Sequence, residues 1–130
     1  MKYFLFGFLA TIGVDQLSKY LAHDVILNTG ISFGFFSGSL LTIALIFVLI
    51  GIVFQFGKTF FQASPVAAGI FFGGSISNVL DRIFYGGVRD FLPVPILGIR
   101  NNLADWCIIL SILWIFLLLK PASFLKTTHS

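Results

Sequence analysis

Four long apolar stretches with few charges constrain the fold of this 130-residue chain most strongly. They cover about residues 3–22, 40–57, 65–84 and 103–119, and each is close to the length that carries a helix across about 30 Å of hydrocarbon. Only 10% of all residues are charged, against about 25% in soluble domains. Because a backbone in lipid must satisfy its own hydrogen bonds, these stretches predict helices. We therefore predict an all-α membrane protein with four transmembrane helices in a single domain, residues 1–130.

Local sequence signals mark the boundary between the second and third helices. Ser64-Pro65 is typical of an N-cap followed by proline in the first helical turn, so residues 57–64 are expected to form a short connector. The third helix has a small residue at every fourth position, and this spacing lets a neighbouring helix approach closely. These small residues are Gly69, Gly73 and Ser77.

Two longer connectors remain, at residues 23–38 and 82–102. The second contains glycines and two prolines, and residues 88–92 alternate in character, which predicts a short extended segment or a hairpin. Four helices would place both connectors at one end of the bundle and both chain ends at the other. The positive charges are spread too evenly to decide which end faces the cytoplasm, although residues 23–38 contain no Lys or Arg and so favour an outer position.

The composition excludes several kinds of site. One cysteine excludes an intrachain disulfide, and one cysteine with two histidines does not supply a zinc cluster, so we expect neither a metal nor a cofactor. The net charge of +3 is small and dispersed, which gives no indication of nucleic-acid binding. Acid–base chemistry must come from His23, His129 or the aspartates, because the chain has no glutamate. The aspartates are Asp15, Asp24, Asp81, Asp90 and Asp105.

Several polar residues interrupt the apolar helices. Asp15 and Lys19 lie four residues apart on one face of the first helix. A charge at the centre of a membrane helix costs about 2.5–3.5 kcal/mol, so we interpret these two residues as an internal ion pair. Asn78, Asp81 and Arg82 share a face near the end of the third helix, where we expect a structural hydrogen-bond network.

Asp90 lies in the extended segment of the second connector and Asp105 just inside the start of the fourth helix, and two interpretations are open. In the structural one, Asp105 interacts with the dipole of the fourth helix, and Asp90 pairs with Arg89 or Arg100. In the catalytic one, the two carboxylates lie close together near the membrane interface and share one proton. One could then act as a base on water while the other protonates a carbonyl oxygen.

Five short motifs follow one another along the chain. Residues 15–19 read DQLSK, 28–33 read NTGISF, 73–82 read GGSISNVLDR, 88–91 read VRDF and 102–105 read NLAD. They resemble, in the same order, D-Q-x-S/T-K, N-x-G-x-A/S-F, G-G-A-x-G-N-x-x-D-R, V-x-D-F and N-x-A-D. Each motif is weak alone, but five at fitting spacings are specific, and together they resemble the lipoprotein signal peptidase (signal peptidase II) family.

The resemblance implies an aspartyl endopeptidase that removes signal peptides from prolipoproteins, cutting before a cysteine modified with diacylglycerol. Its partners would be those substrates and membrane lipid, and we expect it to act as a monomer. The implied location is the bacterial cytoplasmic (inner) membrane. The implied fold has four transmembrane helices and a small β-rich cradle outside the membrane, with both termini cytoplasmic and the active site at the outer interface.

The motifs also imply which residues form the site. Asp90 and Asp105 match the catalytic aspartates of the family. Other residues in the motifs are expected to bind substrate or support the site. They are Asp15, Lys19, Asn28, Gly30, Asn78, Asp81, Arg82 and Asn102.

Three positions depart from the family pattern and put the details of substrate fit in question. Ser77 stands where glycine is usual, Asn101 where an aromatic residue is usual, and Trp106 where a small or hydroxyl residue is usual. An alternative is a small non-catalytic four-helix transporter or an assembly subunit. It fits less well because the polar residues cluster at one end of the predicted bundle rather than at its middle.

Overall fold

The computed structural model describes residues 1–30 and 38–119. This part of the chain forms four helices and four short strands, in agreement with the predicted helices and small β element. The helices are α1 (Lys2–Leu21), α2 (Gly38–Ala63), α3 (Pro65–Tyr85) and α4 (Leu103–Leu119). The strands are β1 (Ile26–Asn28), β2 (Val88–Asp90), β3 (Leu92–Val94) and β4 (Ile99–Asn101). Residues 31–33 of the second motif and His129 lie outside the described residues.

The boundary between α2 and α3 differs from the expectation. The α3 N-cap is Ser64, as predicted, and its hydroxyl accepts a hydrogen bond from the Ala67 amide at 3.2 Å. However, α2 continues through residues 57–63, which were expected to form a connector. A single glycine such as Gly57 costs a helix only about 1 kcal/mol, so the helix persists until Pro65 prevents its continuation.

The strands form two small antiparallel sheets at one end of the helices. In the first sheet, β1 pairs with β2, with Ile26 opposite Asp90. In the second, β3 pairs with β4, with Leu92 opposite Asn101. A hydrogen bond of 3.0 Å from the Phe91 amide to the Asn101 carbonyl joins this second sheet to the end of β2. Because β1 comes from the first connector and β2 from the second, both connectors lie at the same end of the bundle, as predicted.

Helix α3 lies at the centre and packs against the other three helices. Its small residues make this possible. A Cβ atom added to Gly73 would lie 2.6 Å from the Phe8 carbonyl oxygen of α1, and one added to Gly74 would lie 2.9 Å from the Ala104 carbonyl oxygen of α4. The interpretation of the small-residue stripe as a packing surface is therefore confirmed.

The bundle is apolar outside and charged inside. Phe54 and Phe47 on α2 have 88% and 69% of their surface exposed, whereas Asp15, Lys19 and Asp81 are buried. Among the described helices, only residues Ser39–Ala63 are both long enough and apolar enough to cross a membrane by composition, with a mean hydropathy of 2.6; the apolar helix α4 is shorter. Exposed apolar side chains around buried charges are suited to a lipid environment.

Candidate active site

The two candidate catalytic aspartates line one cavity of about 400 Å³. Asp90 ends β2, and Asp105 lies in the first turn of α4. Most of the remaining cavity wall is apolar and comes from α2, α3 and α4, for example from Leu49, Phe71 and Ile108. Polar groups that include both carboxylates therefore adjoin an apolar cavity between the helices.

Two asparagine side chains hold Asp90, which is only 3% exposed. Asn28 donates from Nδ2 to Asp90 Oδ2 at 3.0 Å, and Asn102 donates from Nδ2 to Asp90 Oδ1 at 2.7 Å. Asn28 is itself fixed, because its Oδ1 accepts a hydrogen bond from the Gly30 amide at 2.8 Å. Gly30 has a φ of 73°, which favours glycine, and a Cβ atom there would also crowd Arg82. Gly30 thus supports the site through the shape of its turn.

Asp105 is held by an asparagine side chain and by the start of its own helix. Asn78 donates from Nδ2 to Asp105 Oδ1 at 2.9 Å. The Asp105 amide donates to Asn102 Oδ1 at 3.0 Å, and the Asn102 amide donates back to Asp105 Oδ2 at 3.3 Å. This reciprocal pattern is a capping box. Asn102 therefore bonds to both aspartates and links them in the wall of the same cavity.

Neither of these carboxylates forms an ion pair with a cation in the described part of the chain. Among the described residues, no Lys, Arg or His nitrogen lies within 4.0 Å of Asp90 or Asp105. The suggested pairing of Asp90 with Arg89 or Arg100 is therefore wrong. Arg89 points the other way, because successive side chains of a strand lie on opposite faces, and Arg100 pairs with Asp24 at 2.7 Å. The hydrogen bond from Arg100 lowers the pKa of the Asp24 carboxyl.

A buried charge cluster, formed by Asp15, Lys19, Asp81 and Arg89, lies beside this pair. Lys19 Nζ is 2.6 Å from Asp15 Oδ2 and 3.1 Å from Asp81 Oδ2. The predicted Asp15–Lys19 ion pair is confirmed, and Asp81 extends it. Lys19 also donates to Asn78 Oδ1 at 3.1 Å, which turns the amide nitrogen of Asn78 toward Asp105. The cluster thereby orients one of the groups that hold Asp105.

Asp81 connects the cluster to β2. It accepts hydrogen bonds from the Arg89 amide at 2.9 Å, from Arg89 Nη2 at 2.8 Å and from Gln16 Nε2 at 2.9 Å. The hydrogen bond to Asp81 raises the pKa of Arg89. The sequence interpretation missed Gln16 and Arg89, although the alternation of β2 already placed Arg89 and Asp90 on opposite faces.

Arg82 does not belong to the hydrogen-bond network that was expected to include it. Its Nη1 donates a long hydrogen bond, 3.5 Å, to the Thr29 carbonyl oxygen. Arg82 instead lines the cavity together with Asn28 and the two aspartates. It therefore places a cation in a cavity that is otherwise mostly apolar.

The three departures from the family pattern have local partners. Ser77 donates from its hydroxyl to Asp15 Oδ2 at 2.6 Å and accepts from Gln16 Nε2 at 2.9 Å, so it adds hydrogen bonds to the charge cluster. Trp106 Nε1 donates to Asn101 Oδ1 at 3.1 Å, so the other two departures contact each other. Asp15 also accepts a hydrogen bond from the Ala104 amide at 2.8 Å, which ties α1 to the first turn of α4.

The arrangement is capable of acid–base chemistry on a water molecule. Two carboxylates in one cavity, held by neutral amides, can share a proton. Within residues 1–30 and 38–119, no group of three or more His, Cys, Asp or Glu side chains could hold a metal ion. The buried side-chain nitrogen and oxygen atoms of the described residues all have hydrogen-bond partners.

Comparison with known proteins identifies related sequences. Residues 7–120 match the model of a family described as signal peptidase (SPase) II. A lipoprotein signal peptidase of Thermodesulfovibrio yellowstonii is 31% identical over 120 residues, which are 85% of this chain and 78% of the relative. One of Rhodopseudomonas palustris is 34% identical over 94 residues, 67% of this chain and 57% of the relative. The chain thus spans little more than half the length of this second relative.

Solved structures show the same fold. A bacterial membrane enzyme determined by the in meso method at 1.9 Å resolution aligns with a TM-score of 0.72 and 24% identity. The alignment covers 98% of this chain and 96% of that enzyme. The helices and small sheets described above are therefore the fold of a known membrane enzyme.

Proposed function

The chain belongs to the signal peptidase II family, and we propose that it is an aspartyl endopeptidase of prolipoproteins. It removes the signal peptide by cutting before the cysteine that carries diacylglycerol. The observation that supports this most directly is the amide-held pair, Asp90 and Asp105, in the wall of an apolar cavity. The related proteins of R. palustris and T. yellowstonii are lipoprotein signal peptidases.

The reaction needs only the two aspartates and one water. One carboxylate takes a proton from the water as its oxygen attacks the scissile carbonyl carbon, while the other carboxylic acid protonates the carbonyl oxygen. In the resulting diol, one hydroxyl returns its proton to the second aspartate as the carbonyl re-forms. The C–N bond breaks, and the leaving nitrogen takes the proton that the first aspartate gained, so both aspartates regain their starting protonation. Asn28, Asn78 and Asn102 fix the two carboxyl groups without neutralising their charge, so each group can gain and lose a proton.

The apolar cavity suits the membrane-embedded part of such a substrate. Its walls from α2, α3 and α4 would contact the signal peptide and the acyl chains of the lipidated cysteine. Each buried methylene contributes about 0.8 kcal/mol, so two acyl chains can set the depth of the scissile bond. Binding energy from this distant part of the substrate then holds the carbonyl near the aspartates. Arg82 and Asn28, in the same cavity, are placed to contact the peptide backbone.

The proposed setting is the bacterial cytoplasmic membrane. All four helices span it, both termini are cytoplasmic, and the strands with the two aspartates lie at the outer interface. The exposed apolar surface of the helices supports a position in the membrane, and the pairing of β1 with β2 supports a common side for both connectors. The lack of Lys and Arg in residues 23–38 favours the outer side for them. One chain supplies both aspartates and the asparagines that hold them, which supports a monomeric enzyme.

The test is cleavage of one purified precursor, with and without diacylglycerol on its cysteine, at a fixed detergent-to-protein ratio. We expect cleavage immediately before the cysteine and only in the lipidated form. Failure to cleave the lipidated precursor with folded protein would contradict the proposed activity. Equal kcat/KM for both forms would contradict positioning by the lipid while leaving aspartyl hydrolysis intact.

A further inference from the structure

A second cavity of about 310 Å³ lies on the strand side of Asp90. It is lined by residues of β1 and β4 and by Thr29, and it includes Ile99 and Arg100. We call it the strand cleft. Asn28 and Asp90 line both this cleft and the larger apolar cavity. A peptide bond positioned at Asp90 therefore has a cavity of different character on each side.

The two cavities fit the two sides of the scissile bond. The apolar cavity between the helices suits the signal peptide, and the strand cleft, with Thr29, Asn28 and Arg100, suits a more polar segment. We propose that the strand cleft binds the residues that follow the lipidated cysteine, and that Arg100 makes it favour acidic side chains there. This inference rests on the proposed peptidase function.

Arg100 supplies the positive charge of the strand cleft. Its guanidinium donates to Asp24 Oδ2 at 2.7 Å and to the Asp24 carbonyl oxygen at 3.0 Å. Asp24 does not line the cleft, and its side chain is 80% exposed. Because an exposed ion pair contributes little net stability, a carboxylate of the substrate can replace Asp24 at Arg100 with little loss. Asp24 thus partly neutralises the positive charge that Arg100 presents to a substrate side chain.

Substitutions of Asp24 and of Arg100 should change the preference for acidic over basic segments in opposite directions. In the unmodified enzyme, we expect an acidic segment to be cut with about two- to fivefold higher kcat/KM than a basic one, as for other exposed charge pairs. Asp24→Asn frees Arg100 and should increase that preference. Arg100→Gln leaves Asp24 unpaired and should abolish or reverse it. Arg100→Lys keeps the charge and should keep the preference.

The experiment uses three lipidated precursors that differ only at the second and third residues after the cysteine. Both residues are Asp in the first precursor, Asn in the second and Lys in the third. Cleavage by the full-length protein is measured in an uncharged detergent at low and high salt. The preference should weaken at high salt, because the interacting charges are exposed. Lys58→Gln is the matched control. Lys58 is an exposed cation near the carboxyl end of α2, away from the strands, so its substitution should leave the preference unchanged.

A purely structural role of the ion pair predicts a different result. Asp24→Asn and Arg100→Gln would then lower cleavage of all three precursors alike, and this outcome would overturn the proposal. Cleavage by the unmodified enzyme with no dependence on charge would also overturn it, while the peptidase function would stand. Failure to cleave any lipidated precursor would instead overturn the peptidase function, and the inference with it. Thermal unfolding of each variant establishes that the compared proteins are folded.

Discussion

Two pairs of aspartates lie side by side in this molecule and are held in opposite ways. Asp15 and Asp81 are fully buried and bonded to Lys19, and Asp81 also to Arg89. Asp90 and Asp105 are held by asparagine side-chain amides, and Asp105 also accepts the backbone N–H of Asn102. A nearby cation favours the charged carboxylate, whereas an amide positions it without supplying a compensating full charge. The first pair therefore suits a structural role, and the second suits proton transfer.

The two pairs are also connected. Lys19 binds Asn78, whose amide binds Asp105, and Asp15 accepts a hydrogen bond from the residue before Asp105. The charge cluster is therefore bonded to the groups that position Asp105. Such a division of roles predicts that substitutions in the two pairs affect different measurements, which the following variants test.

The largest effect is expected from Asp90→Asn and Asp105→Asn. Each should lower turnover of the lipidated precursor by about a thousandfold or more, because acid–base catalysis by one group contributes about 10²–10⁴-fold and the pair acts as a unit. The double variant should lose little more than either single variant. Initial rates measure the first effect, and thermal unfolding in the same detergent should show folded proteins. Substantial turnover by either single variant would contradict the assignment of the pair.

Lys19→Met should act mainly on stability. It leaves Asp15 and Asp81 buried without Lys19, and breaking a buried ion pair costs about 3–5 kcal/mol. Denaturant unfolding in detergent micelles measures the change, with Lys58→Met as a control at an exposed cation. If the two variants were equally stable, Lys19 would not have the supporting role described here.

A smaller loss is expected from Asp81→Asn. The amide keeps the shape of the side chain but weakens the bonds to Lys19, Gln16 and Arg89, and a hydrogen bond to a charged group contributes about 1.5–3 kcal/mol. Turnover per folded molecule should remain measurable. A variant with normal stability and no turnover would instead place Asp81 in the chemical step.

The smallest effect is expected from Cys107→Ser, and from substitution of His23. Neither residue lines the apolar cavity or contacts the two pairs by a hydrogen bond, so turnover should stay close to that of the unmodified protein. Turnover should also survive a metal chelator and a thiol-blocking reagent. Loss of activity in a protein that remains folded would show that the mechanism requires a metal or a thiol.

The sequence predicted most of the features that depend on residues close together in the chain. The helices follow from apolar length, the start of α3 from Ser64-Pro65, and the Asp15–Lys19 pair from helical spacing. The predicted end of α2, at residue 57, was wrong because one glycine is too weak a signal to stop a long helix. These features involve residues close together in the chain, where spacing alone determines which side chains can meet.

Contacts between distant segments were harder to predict. Arg100 pairs with Asp24, which is 76 residues away, and no local pattern distinguishes this partner from Asp90. Gln16 meets Arg89 across 73 residues. The motifs predicted Asp90 and Asp105 as a pair, but only the pairing of β2 with β1 and the packing of α3 against α4 show that asparagines, rather than arginines, hold them.

The hydrogen bond from the Ala104 amide to Asp15 joins residues 89 positions apart, and this has a consequence for biosynthesis. A chain emerges from the ribosome amino terminus first, so α1, α2, α3 and Asp90 exist before Asn102 and Asp105 are made. During that interval Asp90 lacks both its second asparagine and its partner carboxylate. The two aspartates of the proposed peptidase therefore come together only after the first turn of α4 has been made and its Ala104 amide has bonded to Asp15 of α1. Completion of the site thus depends on a contact between the first and the fourth of the described helices.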